Sequence, residues 1–298
     1  MQPNRNPHDQ DPASSQIQIL PVRGNVYLLV GAGSNLTLLM GPDNVLLVDT
    51  GDSQVSESVL QAIGQFTDKS IRYIVNTSAH QGHTGGNERI AQAGSTITGG
   101  TVFADANEIA AVIAHENVLH AMIDAPDDAL PSVTFNTADK KLSPSFHNEG
   151  VHIIHMPGAV TDGDSIVHFR GSDVISAGDI FLTTSYPFID IEKGGSYQRI
   201  IDALNGILDL AIPDYWMEGG TMIIPGHGRI SDSADVGYYR DVLTIIRDRV
   251  QDMIKKGMTL NQVIAARPTL DYDPRYGSDT GSWTTDMFVE AVYRSLNK

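Results

Sequence analysis

The chain has 298 residues, 41% hydrophobic and 19% charged, the balance of a globular protein long enough to bury a full core. Its formal net charge of -16 repels phosphate backbones and anionic lipid, which disfavours nucleic acid and membrane surfaces as partners. It has no cysteine, so disulfides, thiolate nucleophiles and Cys-ligated zinc are excluded. Any metal must be held by His, carboxylate or water.

Residues 1–15 are polar, with prolines among Asn, Gln and Asp, and lack the apolar core of a signal peptide. They read as a disordered tail. No linker-like stretch divides residues 16–298, which read as one domain. No apolar run approaches the roughly 20 residues that span a bilayer. The compartment stays open between the cytoplasm and, had a signal been removed, the periplasm.

Four short apolar runs, 17–22, 25–30, 36–40 and 45–48, are separated by Gly, Pro, Asn or Asp and predict a β-meander. Val55, Val59, Leu60 and Ile63 then share one helical face over 53–66, and 71–75 is the next strand. A strand is expected at 101–104. Asn107 is a candidate N-cap for a helix over 107–123, with Ile109, Val112, Ile113 and Leu119 at helical spacing. Residues 125–130 form a Pro/Asp loop. Strands follow at 132–136, 151–156, 165–169, 173–176 and 221–224, with helices at 196–210, 234–256, 260–266 and 285–296. Two β blocks flanked by helices, without regular βαβ alternation, fit an α+β, four-layer αββα sandwich.

Chemistry-bearing residues fall at the ends of these strands. Asp49 follows the run 45–48 and serves either as a loop cap or as a partner that orients a histidine. After 71–75 comes Asn76-Thr77-Ser78-Ala79-His80-Gln81-Gly82-His83-Thr84-Gly85-Gly86-Asn87, a loop holding two histidines. Its plain reading is a Gly/Ser/Thr turn that contains histidines by chance. Thr161-Asp162-Gly163-Asp164 is ordinary turn chemistry by itself, and His152 and His155 point to opposite faces of one strand. Ala177-Gly178-Asp179 and Pro225-Gly226-His227-Gly228 each set one metal-competent side chain among glycines at a strand end. The loops around 142–149 and 183–195 are placed to shape a cleft.

Taken together and in this order, these blocks resemble the five sequence blocks of the metallo-β-lactamase-fold superfamily. The second block of that family is Thr-His-x-His-x-Asp-His followed by small residues and Gly-Gly. The resemblance covers nearly the whole chain from Gln16. It extends to Tyr186-Pro187-Phe188-Ile189-Asp190 and to the segment 288–293, which look like one hydrolase branch of the superfamily. The family uses two metals. The resemblance puts the ligands of the first at Ser78, His80 and Val160, where one imidazole survives. It puts those of the second at Gly82, His83, Asp179 and His227, where two imidazoles and a carboxylate survive. Ser78, Gly82 and Val160 are thus lost ligand positions, and about three protein ligands are needed for a catalytic zinc.

The resemblance therefore implies at most a mononuclear site made by His83, Asp179 and His227, with His80 as a further ligand. It would take Zn²⁺ first, or Mn²⁺ or Fe²⁺. Asp179 and His80 would carry catalysis, supported by Asp49 and Ser78. With the family's Asp replaced by Gly82, Asp49, Ser78, His80 or Asp162 would have to stand in as base. The expected activity is hydrolysis of a small ester, lactone, thioester or amide. The alternative is a metal-free, inactive relative that binds a small molecule or a protein in the same cleft. The sequence does not set the oligomeric state.

Overall fold

The computed structural model describes residues 16–95, 109–142 and 149–297. The expected tail 1–15 and the expected strand 101–104 lie outside them. The first four strands, β1 (Gln18–Arg23), β2 (Val26–Ala32), β3 (Ser34–Met40) and β4 (Asn44–Val48), pair antiparallel in sequence order. The chain then crosses over through α1 (Ser56–Phe66) and adds β5 (Ser70–Val75) parallel to β4. After α2 (Gln81–Thr84) and α3 (Asn87–Ala93), β6 (Ala111–His115) joins parallel to β5. Past α4 (Glu116–Ala121), β7 (Val133–Phe135) completes a seven-stranded sheet.

The second sheet has five strands, β8 (Asp139–Leu142), β9 (Val151–His155), β10 (Ser165–Phe169), β11 (Val174–Ser176) and β12 (Met222–Ile224). They run in the order β12-β11-β10-β9-β8, and β11 and β12 are parallel, joined through α5 (Tyr197–Leu210). The chain closes with α6 (Ser233–Lys255), α7 (Leu260–Ala265), α8 (Asp273–Tyr276) and α9 (Thr285–Leu296). Asp232 caps α6 by accepting a hydrogen bond from Asp235 N at 2.9 Å.

The layers follow from strand alternation. Leu46 and Val48 of β4 face the second sheet, where they pack with Ile153, Val167, Phe169 and Ile224. Val45 and Leu47 face the other way and pack with Val59 and Ile63 of α1 and Ile90 of α3. The outer face of the second sheet, through Ile166, Ile175 and Ile223, is covered by α5, α6, α7 and α9. The result is the four-layer αββα sandwich. Each fully buried Leu, Ile or Val in these layers contributes about 1.5–3 kcal/mol. Among the described residues no helix is long and apolar enough to cross a membrane.

The expected helix over 107–123 is a correction: residues 111–115 form β6, and only Glu116–Ala121 is helical. The apolar spacing of Ile109, Val112, Ile113 and Leu119 suits both readings. Ala111–His115 is a short apolar run, which periodicity cannot assign to helix or strand. Val112 joins the α1 side and Ile113 the inter-sheet core, so the run is a parallel strand buried on both faces. Strand β8, Asp139-Lys140-Lys141-Leu142, carries no apolar alternation because it is a polar sheet edge.

Candidate functional site

Parallel pairing places strand ends together. Asp49 follows β4, the loop 76–83 follows β5, and β4 and β5 are parallel, so both emerge at one edge. Asp179 follows β11 and His227 follows β12, which are likewise parallel. Asp49 holds a left-handed φ of 62°, a strained conformation that Asp tolerates better than most residues. Its carboxylate accepts from Thr77 N at 2.7 Å and Thr77 Oγ1 at 2.6 Å, and lies 2.8 Å from His83 Nδ1. Asp49 thus occupies both of the positions open to it, loop cap and histidine partner.

His83 is the hub. Its Nε2 lies 2.9 Å from Asp179 Oδ2, opposite the Asp49 contact, and the ring is fully buried. Burial works against a charged ring, but the carboxylates of Asp179 and Asp49 outweigh it and raise His83 well above an ordinary histidine. The two flanking carboxylates therefore favour the protonated form of the ring. Burial alone would raise Asp179, yet His83, then His227 and His80, hold it far below the usual carboxylate range. His227 Nε2 stands 3.5 Å from Asp179 Oδ1, and burial pushes this ring below an ordinary histidine against the pull of Asp179.

Two glycines make the cluster possible. A side chain at Gly226 would collide with the Asp179 carboxylate, and one at Gly178 (φ 52°) would approach Thr77 Oγ1 to 2.8 Å.

His80 behaves differently from its neighbour three residues on. Its Nε2 faces Asp190 Oδ2 at 3.4 Å, and its ring lies 5.5 Å from that of Phe188. Burial lowers its pKa, with Asp190 opposing. A neutral ring with Nε2–H directed at a carboxylate leaves Nδ1 as an acceptor, and among the described residues no hydrogen-bond partner reaches that buried atom. Burial acts to raise Asp190, but the His80 contact and Lys193, 3.8 Å away, keep it low.

His80 and Asp190 line a cleft of about 1520 Å³, walled by residues 121–129, 188–193 and 283–294. His83, Asp179 and His227 do not line it. Asp190, Lys193 and Trp283 were not among the residues singled out from sequence. The one signal available was the acidic end of Tyr186-Pro187-Phe188-Ile189-Asp190.

The remaining expected positions are all accounted for. Ser78 Oγ accepts from His80 N at 3.3 Å, and Gly82 O accepts from Ser34 Oγ at 2.6 Å. Val160 is fully buried in the helix-side core. Asp162 turns away from the cluster: its carboxylate accepts from Asn117 Nδ2 at 2.8 Å and its carbonyl lies 2.7 Å from His155 Nε2. It is not placed to stand in as a base. His152 pairs with Asp139 at 2.6 Å, and His155 stacks on His115 with ring centroids 3.6 Å apart.

The donor types fit a divalent metal, but their placement does not. His83 Nδ1 is engaged by Asp49 at 2.8 Å, while Nε2 stands 2.9 Å from Asp179 Oδ2 without a hydrogen bond among the described residues, and a proton there would have to leave before a metal could bind. Among the described residues no set of three or more His, Asp or Glu side chains is arranged to hold a metal ion.

The family model for the metallo-beta-lactamase superfamily matches residues 23–227, more than half of the chain. The chain belongs to the metallo-beta-lactamase superfamily. Solved structures agree at the level of fold. A metallo-beta-lactamase from Pontibacter korlensis is similar with a TM-score of 0.60 and 15% identity, covering 77% of this chain and 99% of that one. DIM-1 metallo-beta-lactamase gives a TM-score of 0.59 at 16% identity, covering 77% of this chain and 98% of its own. The stereoselective inverting sec-alkylsulfatase Pisa1 from Pseudomonas sp. gives 0.65 at 15% identity, covering 93% of this chain and 50% of its own. No curated protein matches by sequence. Identities this low speak for the fold alone.

Proposed function

We propose that this superfamily member binds a small molecule in the cleft in front of His80, with the His83 cluster beneath it working without a metal. The observation that carries the reading is His83 set between the carboxylates of Asp49 and Asp179 at 2.8 and 2.9 Å, an arrangement that favours its protonated form. The altered positions Ser78, Gly82 and Val160 support it, because they remove ligands that the family's chemistry needs. In this reading the cluster ties the ends of β4, β5 and β11 together and fixes the loop that presents His80. Neither nucleic acid nor a membrane is a partner.

A second reading is favoured by the convergence of His83 and His227 on Asp179. It is a hydrolase-like activity on a small ester, lactone, thioester or amide, with at most one zinc, manganese or iron ion on those three residues. That ion would have to displace the proton from His83 Nε2.

Metal analysis of untagged protein separates the two. The first reading expects no stoichiometric metal after incubation with Zn²⁺, Mn²⁺ or Fe²⁺, and an unchanged Tm. About one equivalent, lost in both His83→Ala and His227→Ala, overturns it in favour of the second. An ion at about 100 times its Kd would add about 2.7 kcal/mol to stability, enough to see in a melt.

A further inference from the structure

The charge of the cleft goes beyond this reading. Five carboxylates line it among the described residues: Glu88, Asp124, Asp190, Glu192 and Glu290. The two lining cations, Lys193 and Arg294, lie 3.8 Å from Asp190 and 2.5 Å from Glu290. Their charge is already answered locally. The internal stretches 96–108 and 143–148 contain no lysine or arginine. The lining is also aromatic, with Phe188 and Trp283 meeting edge to face at 4.8 Å. Also lining the cleft, His80 Nδ1 is a buried acceptor with no hydrogen-bond partner among the described residues.

These features act in one direction. A low-dielectric cleft lined by one sign of charge concentrates ligands of the opposite sign. Aromatic faces attract cations, and more strongly when desolvated. An acceptor nitrogen is satisfied by an N–H or O–H donor and offers nothing to an anion. We propose that the cleft selects cationic ligands, then neutral ones, with an aromatic or bulky apolar body, and rejects anions. The ammonium or donor end would sit among the carboxylates, with the apolar body against Phe188 and Trp283. This rests on the reading that the cleft binds a small molecule, and not on whether a metal is bound.

The chain has two tryptophans, and Trp216 is 77% exposed on the segment before β12, outside the cleft. Trp216→Phe leaves Trp283 as a single fluorescent reporter inside the cleft. Titration of this variant with benzyltrimethylammonium, benzyl alcohol and benzylsulfonate is the test. At low salt the cation should bind about tenfold or more tighter than the sulfonate, and 0.5 M salt should compress the gap to about threefold or less. Asp124→Lys with Glu192→Lys, both exposed positions, should compress it similarly. Sulfonate binding as tight as the cation, or a preference unmoved by the charge reversal, overturns the inference alone. No response to any probe at about 10 mM overturns both the inference and the binding reading.

Discussion

His80 and His83 leave the same loop three residues apart and end in opposite states. His83 is sealed between Asp49 and Asp179 at 2.8 and 2.9 Å, which pull its pKa up. His80 is neutral and faces a cleft, with one partner at 3.4 Å and one nitrogen open. The lesson is that a motif histidine's role is set by the count and charge of its neighbours. Two carboxylates favour a charged ring; one carboxylate at the margin of burial leaves a neutral, addressable one.

The largest effect should come from breaking the sealed half. His83→Ala leaves two buried carboxylates facing each other without a cation, and should cost about 3–5 kcal/mol by denaturant unfolding. A loss under about 1 kcal/mol would show that the ion-paired cluster contributes little.

Asp164 tests which carboxylates near the cluster are ionised. It accepts from Thr161 N at 2.6 Å and Thr161 Oγ1 at 2.8 Å, and burial raises its pKa from 3.8 to about 7, with Asp179 adding to the rise. Because the folded value lies above the unfolded one, the neutral form stabilises the fold. That contribution is full below about pH 4 and is lost as pH rises through about 7, to a total of up to about 4 kcal/mol. Asp164→Asn mimics the neutral acid and should flatten stability over this window. An unchanged pH profile would remove Asp164 as its source.

His80→Ala should cost only about 1–2 kcal/mol, the loss of one hydrogen bond and a few contacts, while weakening any ligand of the cleft. Equal destabilisation by His80→Ala and His83→Ala would erase the contrast between them. The smallest effect belongs to Trp216→Phe, within about 0.5 kcal/mol for so exposed a site.

Much of this was legible in the sequence, for identifiable reasons. The meander of β1 to β4 is a series of apolar runs punctuated by turn residues, and local chemistry suffices to place it. Asp49, Asp179 and His227 could be grouped because each closes a strand and because the five blocks come in order. The strand β6 could not be told from a helix, since a segment buried on both faces loses its diagnostic period. Lys193 and Trp283 were missed because nothing local marks them, and Asp190 stood out only as the acidic end of the segment 186–190. They reach the cleft from a loop and a helix approach more than a hundred residues after His80, brought there by packing of the second sheet's helices. The upward pKa shift of His83 was equally hidden, because it depends on two carboxylates converging from different strands.

Helix α9 presents two faces with separate duties. Phe288, Val289 and Val292 are buried in the helix-side core, where Phe288 stacks on Tyr186 at 4.4 Å. Met287, Glu290 and Arg294 belong to the cleft wall. A close-packed interior transmits small volume changes instead of absorbing them. Ligand preference in this scaffold can therefore drift through substitutions at positions such as Phe288 that never meet a ligand, while the His83 cluster stays intact.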